Sequence, residues 1–183
     1  MMKWRIPGTE LQIEKENADT VEDIFSSMFL AGGMVLSQVA SVTGLEPYTI
    51  QNWVKRGFLS PPQHKRYSMN QLCRILHINM LKSVLPLEQI CGLLSYVNGK
   101  LDEESDDIID DSRLYFLFVR LASRARELDE PAAWDQALEA ALADYREPVP
   151  GARTRIEKAL RVMLTAWIAA RMRHAAEKML QEL

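Results

Sequence analysis

Five polar side chains, Thr49, Gln51, Asn52, Lys55 and Arg56, fall within eight residues. Four more, His64, Lys65, Arg66 and Tyr67, follow after a Pro61-Pro62 break. Amides in such a set can pair with donor and acceptor edges of bases, and the cations can neutralise phosphates. That is the chemistry of holding a nucleic acid. No GxGxxG, P-loop, GxSxG or HExxH pattern accompanies it, so the sequence marks no catalytic residue and no cofactor, and the chain reads as a non-enzyme.

Two short helices must position the first set. Ser37 opens a helix through Val42, Gly44 turns the chain, and Pro47-Tyr48 start a second helix running to about Arg56, which Gly57 stops. Ala40, Gly44 and Ile50 stand four and then six residues apart. A small residue suits a close helix crossing, a glycine suits the turn, and a branched apolar side chain locks the second helix onto the first. Val39, Val42, Leu45 and Trp53 complete the buried side, leaving the polar residues outward. Residues 58–67, FLSPPQHKRY, cannot be helical at Pro61-Pro62 and read as an extended loop or small hairpin with a basic tip. Ser68 followed by Gln71 is a capping-box pattern that opens the next helix, MNQLCRILHINMLKS.

The segment LSQVASVTGLEPYTIQNWVKRGFLSPP, the tip HKRYS and the following PLEQICGLLSYV resemble the MerR family of bacterial transcription regulators. More narrowly, TIQNWVKRGFL and KRYS..QL.RILHINMLK are similar to the bacterial proteins grouped as domain of unknown function 1836, regarded as MerR-like regulators without an established activity. The resemblance implies a winged helix-turn-helix and duplex DNA as partner. By position, Tyr48, Thr49, Gln51 and Asn52 match recognition-helix contacts, and Lys65, Arg66 and Tyr67 match the wing. The sequence departs from the MerR pattern at Gln51, where an Arg is usual, and at Asn52-Trp53, where a Tyr pair is usual.

The net charge of −3 is unevenly spread. Residues 35–85 carry six cations against Glu46 alone, while 1–34 hold three basic and six acidic groups and 86–183 hold thirteen basic and eighteen acidic. The distribution, more than the sum, favours a polyanionic partner for the middle segment. Cys73 and Cys91 lie 18 positions apart without metal-ligand spacing and read as two thiols on helices; no metal site is expected. His64 is expected as a loop residue at the tip and His77 as a structural one. LDEESDDIIDD packs seven acids into eleven residues, lacks the alternation of a calcium loop, and reads as a solvated linker. No apolar run reaches the roughly 20 residues of a membrane span, and MMKWRIPGTE lacks a secretory signal, so the expected location is the cytoplasm with no membrane contact.

The expected architecture is therefore all-α: an N-terminal helical segment 1–34 with Asp19 capping its helix, a winged helix-turn-helix 35–99, an acidic linker 100–111, and an all-helical C-terminal extension 112–183. Asp111 or Ser112 is expected to cap the helix after the linker. Recognition helix 47–56 would enter the major groove with wing 60–67 on the backbone, and Ser37, Tyr48, Thr49, Gln51, Asn52, Lys55, Arg56, His64, Lys65, Arg66 and Tyr67 would contact DNA. The last helix carries apolar residues at steps of three and four, with Trp167, Ile168 and Met172 as candidates for helix packing within the chain or in a homodimer. Two other readings stand beside this one. The first is a protein-interaction or scaffold module that keeps the fold without DNA. The second is a sensor of an unknown small-molecule effector.

Overall fold

The computed structural model describes residues 3–99, 101, 107–125 and 131–183. Half of the expected acidic linker, residues 100 and 102–106, lies outside them. The protein is mostly helical: among the described residues are eight α-helices and four strands of two or three residues each. The helices are α1 (Val21–Met28), α2 (Leu36–Thr43), α3 (Pro47–Lys55), α4 (Met69–Leu81), α5 (Leu87–Asn98), α6 (Asp111–Ser123), α7 (Pro131–Ala141) and α8 (Ala152–Gln181). No described helix is long and apolar enough to cross a membrane.

The first 34 residues are not simply helical. Strands β1 (Lys3–Arg5) and β2 (Gln12–Glu14) form an antiparallel hairpin, followed by a 3-10 segment over Lys15–Thr20. Asp19 lies inside that segment, and α1 starts after Thr20 without a side-chain cap. The hairpin is pinned to the rest of the protein by its tip. Asn79 of α4 donates from Nδ2 to Gly8 O (2.8 Å) and to Thr43 O at the end of α2 (2.9 Å), and Tyr115 of α6 donates its hydroxyl to Pro7 O (2.7 Å). The tip can approach this closely because Gly8, at φ +75°, has no Cβ; one would stand 2.6 Å from Leu76 O.

Helix α4 is the hub. Its start is fixed by the expected capping box: Ser68 Oγ accepts from Gln71 N (3.2 Å) and Gln71 Oε1 accepts from Ser68 N (2.9 Å). Leu72, Cys73, Ile75, Leu76, Ile78 and Leu81 are fully buried, so the helix is apolar almost all round and must be enclosed by neighbours. It packs against α6 above all, and against α2, α5 and α8. Asp110, one residue earlier than expected, caps α6: its Oδ1 accepts from Arg113 N (2.8 Å) and from Ser112 Oγ (2.7 Å). An aromatic cluster of Phe25, Tyr115, Phe116 and His77 fills the junction of α1, α4 and α6.

Trp167 belongs to this interior. It meets Phe118 edge-on at 6.0 Å and is 7% exposed, so its packing is within the chain rather than between chains. Ile168 is half-buried against the same core, and Met172 is exposed. Beyond Ile168 the α8 residues are exposed except Ala170, which is intermediate, and the run includes Met179 and Leu180. One buried core runs through the N-terminal hairpin, α2 to α6 and α8. The same core continues across the boundaries drawn at 99 and 111.

Candidate nucleic-acid interface

Helices α2 and α3 are joined at Gly44, whose φ of +69° ends α2 in the left-handed conformation while its N–H closes on Ala40 O. Thr43 Oγ1 folds back to Val39 O (2.8 Å) and accepts from Leu45 N (3.3 Å), which satisfies the buried polar groups of the turn. Pro47 occupies the first turn of α3, where a missing N–H costs nothing. Ile50 and Trp53 are buried beneath the helix. Tyr48, Gln51, Asn52, Lys55 and Arg56 are exposed, and Thr49 is half-buried at the edge. Ser37, in the first turn of α2, is exposed.

The basic tip is a tight hairpin. Strand β4 (Arg66–Tyr67) pairs antiparallel with β3 (Met34–Val35), and Gln63 bridges Arg66. Arg66 N donates to Gln63 O (2.8 Å) across His64 and Lys65, which both have positive φ, 48° and 62°. That is the backbone of a type I′ turn, normally made by Asn-Gly. His64 and Lys65 are thus held outward in a conformation that non-glycine residues adopt at a cost. Gln71 braces the arm leading to the tip, its Nε2 donating to Ser60 O (3.0 Å) and Pro61 O (3.0 Å). Strand β3 runs straight into α2, with Gln38 Oε1 accepting from Val35 N (3.0 Å). Tip and α3 are therefore both mounted on α2, one through the strand pair and the other through the Gly44 turn.

The cations differ in their commitments. Lys55 and Lys65 have no ion-pair partner among the described residues. Arg56 lies 3.0 Å from Glu88 and its guanidinium stacks 4.5 Å from the Phe58 ring centre. Both ends of this ion pair are solvent-exposed, and such pairs are worth about 0–1 kcal/mol, so Arg56 is readily released to another anion. Arg66 spends one N–H on Gly33 O (2.9 Å). Tyr67 departs from expectation: it is 3% exposed, with its hydroxyl pKa pushed up by burial. As the Cα partner of Met34 it belongs to the core side of the strand pair, while its neighbour Arg66 is exposed. It supports the tip rather than forming its surface.

A buried polar cluster lies beside this framework. Arg74 of α4 donates from Nε to Phe58 O (3.1 Å) and reaches Asp111 Oδ2 at 3.5 Å. His77, one turn along and fully buried, has Nδ1 3.6 Å from Asp111 Oδ1. Burial lowers the His77 pKa, opposed in part by that carboxylate. Cys73 is buried with its thiol pKa pushed well up, and Cys91 is half-buried with its own raised more modestly; both are free thiols. No spacing along the chain announces that Arg74, His77 and Asp111 meet, because Asp111 arrives from a different helix, far along the chain.

Residues 18–118 match the family described as domain of unknown function DUF1836. A curated relative, the uncharacterized protein YkrK of Bacillus subtilis (strain 168), is 28% identical over 108 residues, 57% of this chain. The match covers 46% of that protein, so the chain accounts for less than half of its relative's length. No solved structure matches the chain. The matched family segment runs from the 3-10 turn through α1 to α5 and into α6, taking in both α3 and the tip, and covers more than half of the chain. The protein belongs to the DUF1836 family.

Proposed function

We propose that this chain binds duplex DNA as a MerR-like winged helix-turn-helix regulator, with α3 in the major groove and the His64–Arg66 tip on the flanking phosphates. The observation that carries the reading is the sorting of α3. Ile50 and Trp53 are buried while Gln51, Asn52 and Lys55 face solvent, next in sequence to a tip held out by its turn. Gln51 and Asn52 offer the donor–acceptor edges that read bases, and Lys55, Lys65, Arg66 and Arg56 supply the charge. Ser37 at the start of α2 adds a hydroxyl for backbone contact. The resemblance of these segments to MerR regulators supports the same reading.

A two-fold DNA site would require a second copy. The exposed end of α8, with Met172, Met179 and Leu180, is the surface proposed for that contact, in place of the buried Trp167 and half-buried Ile168.

The test is a gel shift on genomic fragments at two salt concentrations. Every phosphate that the protein ceases to neutralise should flatten the dependence of log K on log salt by about 0.9. The Lys65→Ala/Arg66→Ala variant should bind more weakly and with a slope shallower by about 1.8. The acidic total of −3 favours a second reading, a scaffold module that keeps the fold without DNA. Failure of the wild type to retain any fragment at low salt would select it.

A further inference from the structure

Helices α6 and α7 part along a cleft of about 290 Å³. No residue of α2, α3 or the basic tip lines it, so it is separate from the surface assigned to DNA. Leu117 and Leu121, each 3% exposed, line it from α6, and Ala137, Ala140 and Ala141 from α7. Methyl groups at those three positions leave open a space that longer side chains would fill.

Three arginines of α6, Arg113, Arg120 and Arg124, line the same cleft. Arg120 and Arg124 stand four residues apart, which makes them neighbours on one helix face, with Cβ atoms roughly 5–6 Å apart. Like charges at that spacing repel, and neither has an ion-pair partner among the described residues. Arg120 is half-buried, and among the described residues its Nε is the one buried arginine nitrogen without a hydrogen bond. Arg113 donates to Asp144 O (3.5 Å) and lies 5.3 Å from the Tyr145 ring centre, which ties the third guanidinium to residues that also line the cleft. Asp135 of α7 is paired with Arg161 of α8 instead, and Asp144 is the one carboxylate in the lining. The carbonyl end of α6 favours cations in its last turn, but Arg113 stands in the first turn, where a cation is disfavoured. A guanidinium only donates, so the partner these groups lack is an acceptor.

We propose that this cleft binds the dianionic phosphate group of a small molecule, gripped by Arg120 and Arg124 with Arg113 adding charge alongside. The planar fork of a guanidinium matches phosphate oxygens, and such charge-assisted hydrogen bonds are the strong ones. Three cations against Asp144 leave two positive charges, which a phosphate dianion neutralises. The buried leucines beside them lower the local dielectric and strengthen the pairing.

The inference is tested by isothermal titration of the full chain at low salt without DNA, using inorganic phosphate and phenyl phosphate. Tighter binding of the first marks the free anion as the occupant, and tighter binding of the second an organic phosphate. Binding of neither would overturn the proposal; that is also the result if Glu127, Asp129 and Glu130, which lie outside the described residues, already neutralise these arginines. Arg120→Gln/Arg124→Gln should bind at least about ten-fold more weakly, and a folded variant binding as the wild type does would refute the assignment. Lys65→Ala/Arg66→Ala should bind phosphate unchanged; a loss there would place the anion on the tip and overturn the proposal. In NMR of the unaltered protein, phosphate should move the amide resonances of Leu117 to Arg124, and shifts confined to α3 and the tip would equally refute it.

Discussion

Replacing His64-Lys65 by Asn-Gly separates what the tip does for folding from what it does for binding. Both residues have positive φ, 48° and 62°. A left-handed residue with a Cβ carries roughly 1–2 kcal/mol of strain, which glycine does not and asparagine carries in smaller measure. Gly at 65 recovers about 1 kcal/mol and Asn at 64 a few tenths, so the double variant should be more stable by about 1–1.5 kcal/mol. For a chain of this size each kcal/mol moves Tm by about 2–4 °C, giving a rise of about 3–5 °C in a thermal melt. The same variant gives up one cation. Its DNA affinity should fall at low salt, and the slope of log K against log salt should flatten by about 0.9. Most substitutions that weaken binding also weaken the fold; here the two readouts should move in opposite directions. A lowered Tm would refute the strain argument. A raised Tm with an unchanged salt slope would refute the placement of Lys65 on phosphate.

Further perturbations address other parts of the molecule. Gly8→Ala would put a Cβ 2.6 Å from Leu76 O at a φ of +75°; it should destabilise by about 2 kcal/mol, seen as a Tm lower by about 4–8 °C, and an unchanged melt would contradict the close docking of the hairpin. His77 has its pKa lowered by burial, so its neutral form is the one the fold favours. The associated stability is present above the unfolded histidine value of about 6.5 and drains as pH falls below it. His77→Gln should flatten that acid limb in denaturant titrations at pH 5 and 7. Lys55→Ala should weaken DNA binding at all sequences alike, whereas Asn52→Ala should change which sequences are selected from random duplexes. Removing residues 171–183, all exposed, should abolish by sedimentation the two-copy assembly proposed for the end of α8 while the chain stays folded by circular dichroism.

The parts of the fold readable from sequence are those governed by local rules. The Ser68–Gln71 box, Pro47 at the start of α3 and Gly44 at the turn each act within a few residues, and their elements begin and end where those residues direct. The N-terminal hairpin is hidden because KWR and QIE are too short to display alternation. Its stability comes from distant carbonyl contacts with Asn79 and Tyr115. The cap of α6 slips by one residue because Asp110 and Asp111 are chemically alike; only tertiary geometry assigns one to the helix end and the other to Arg74. At the candidate interface, periodicity sorts Ile50 and Trp53 from Gln51 and Asn52 as the structure does. It cannot tell that Tyr67 is buried, since a two-residue strand has no period to read.

The enclosure of α4 limits how this molecule can be taken apart. A fragment comprising residues 35–99 would keep the turn and the tip but lack α6 and α8, which shield α4. Leu72, Ile75, Leu76 and their neighbours would then meet water in a continuous oily ridge, and aggregation rather than a miniature binder is the foreseeable product. For the same reason a lesion deep in the carboxyl-terminal half, such as a cavity at Phe118, would be felt at the foot of the basic tip. Grafting α3 and the basic tip onto another scaffold would mean carrying α4 and, with it, α6 and α8.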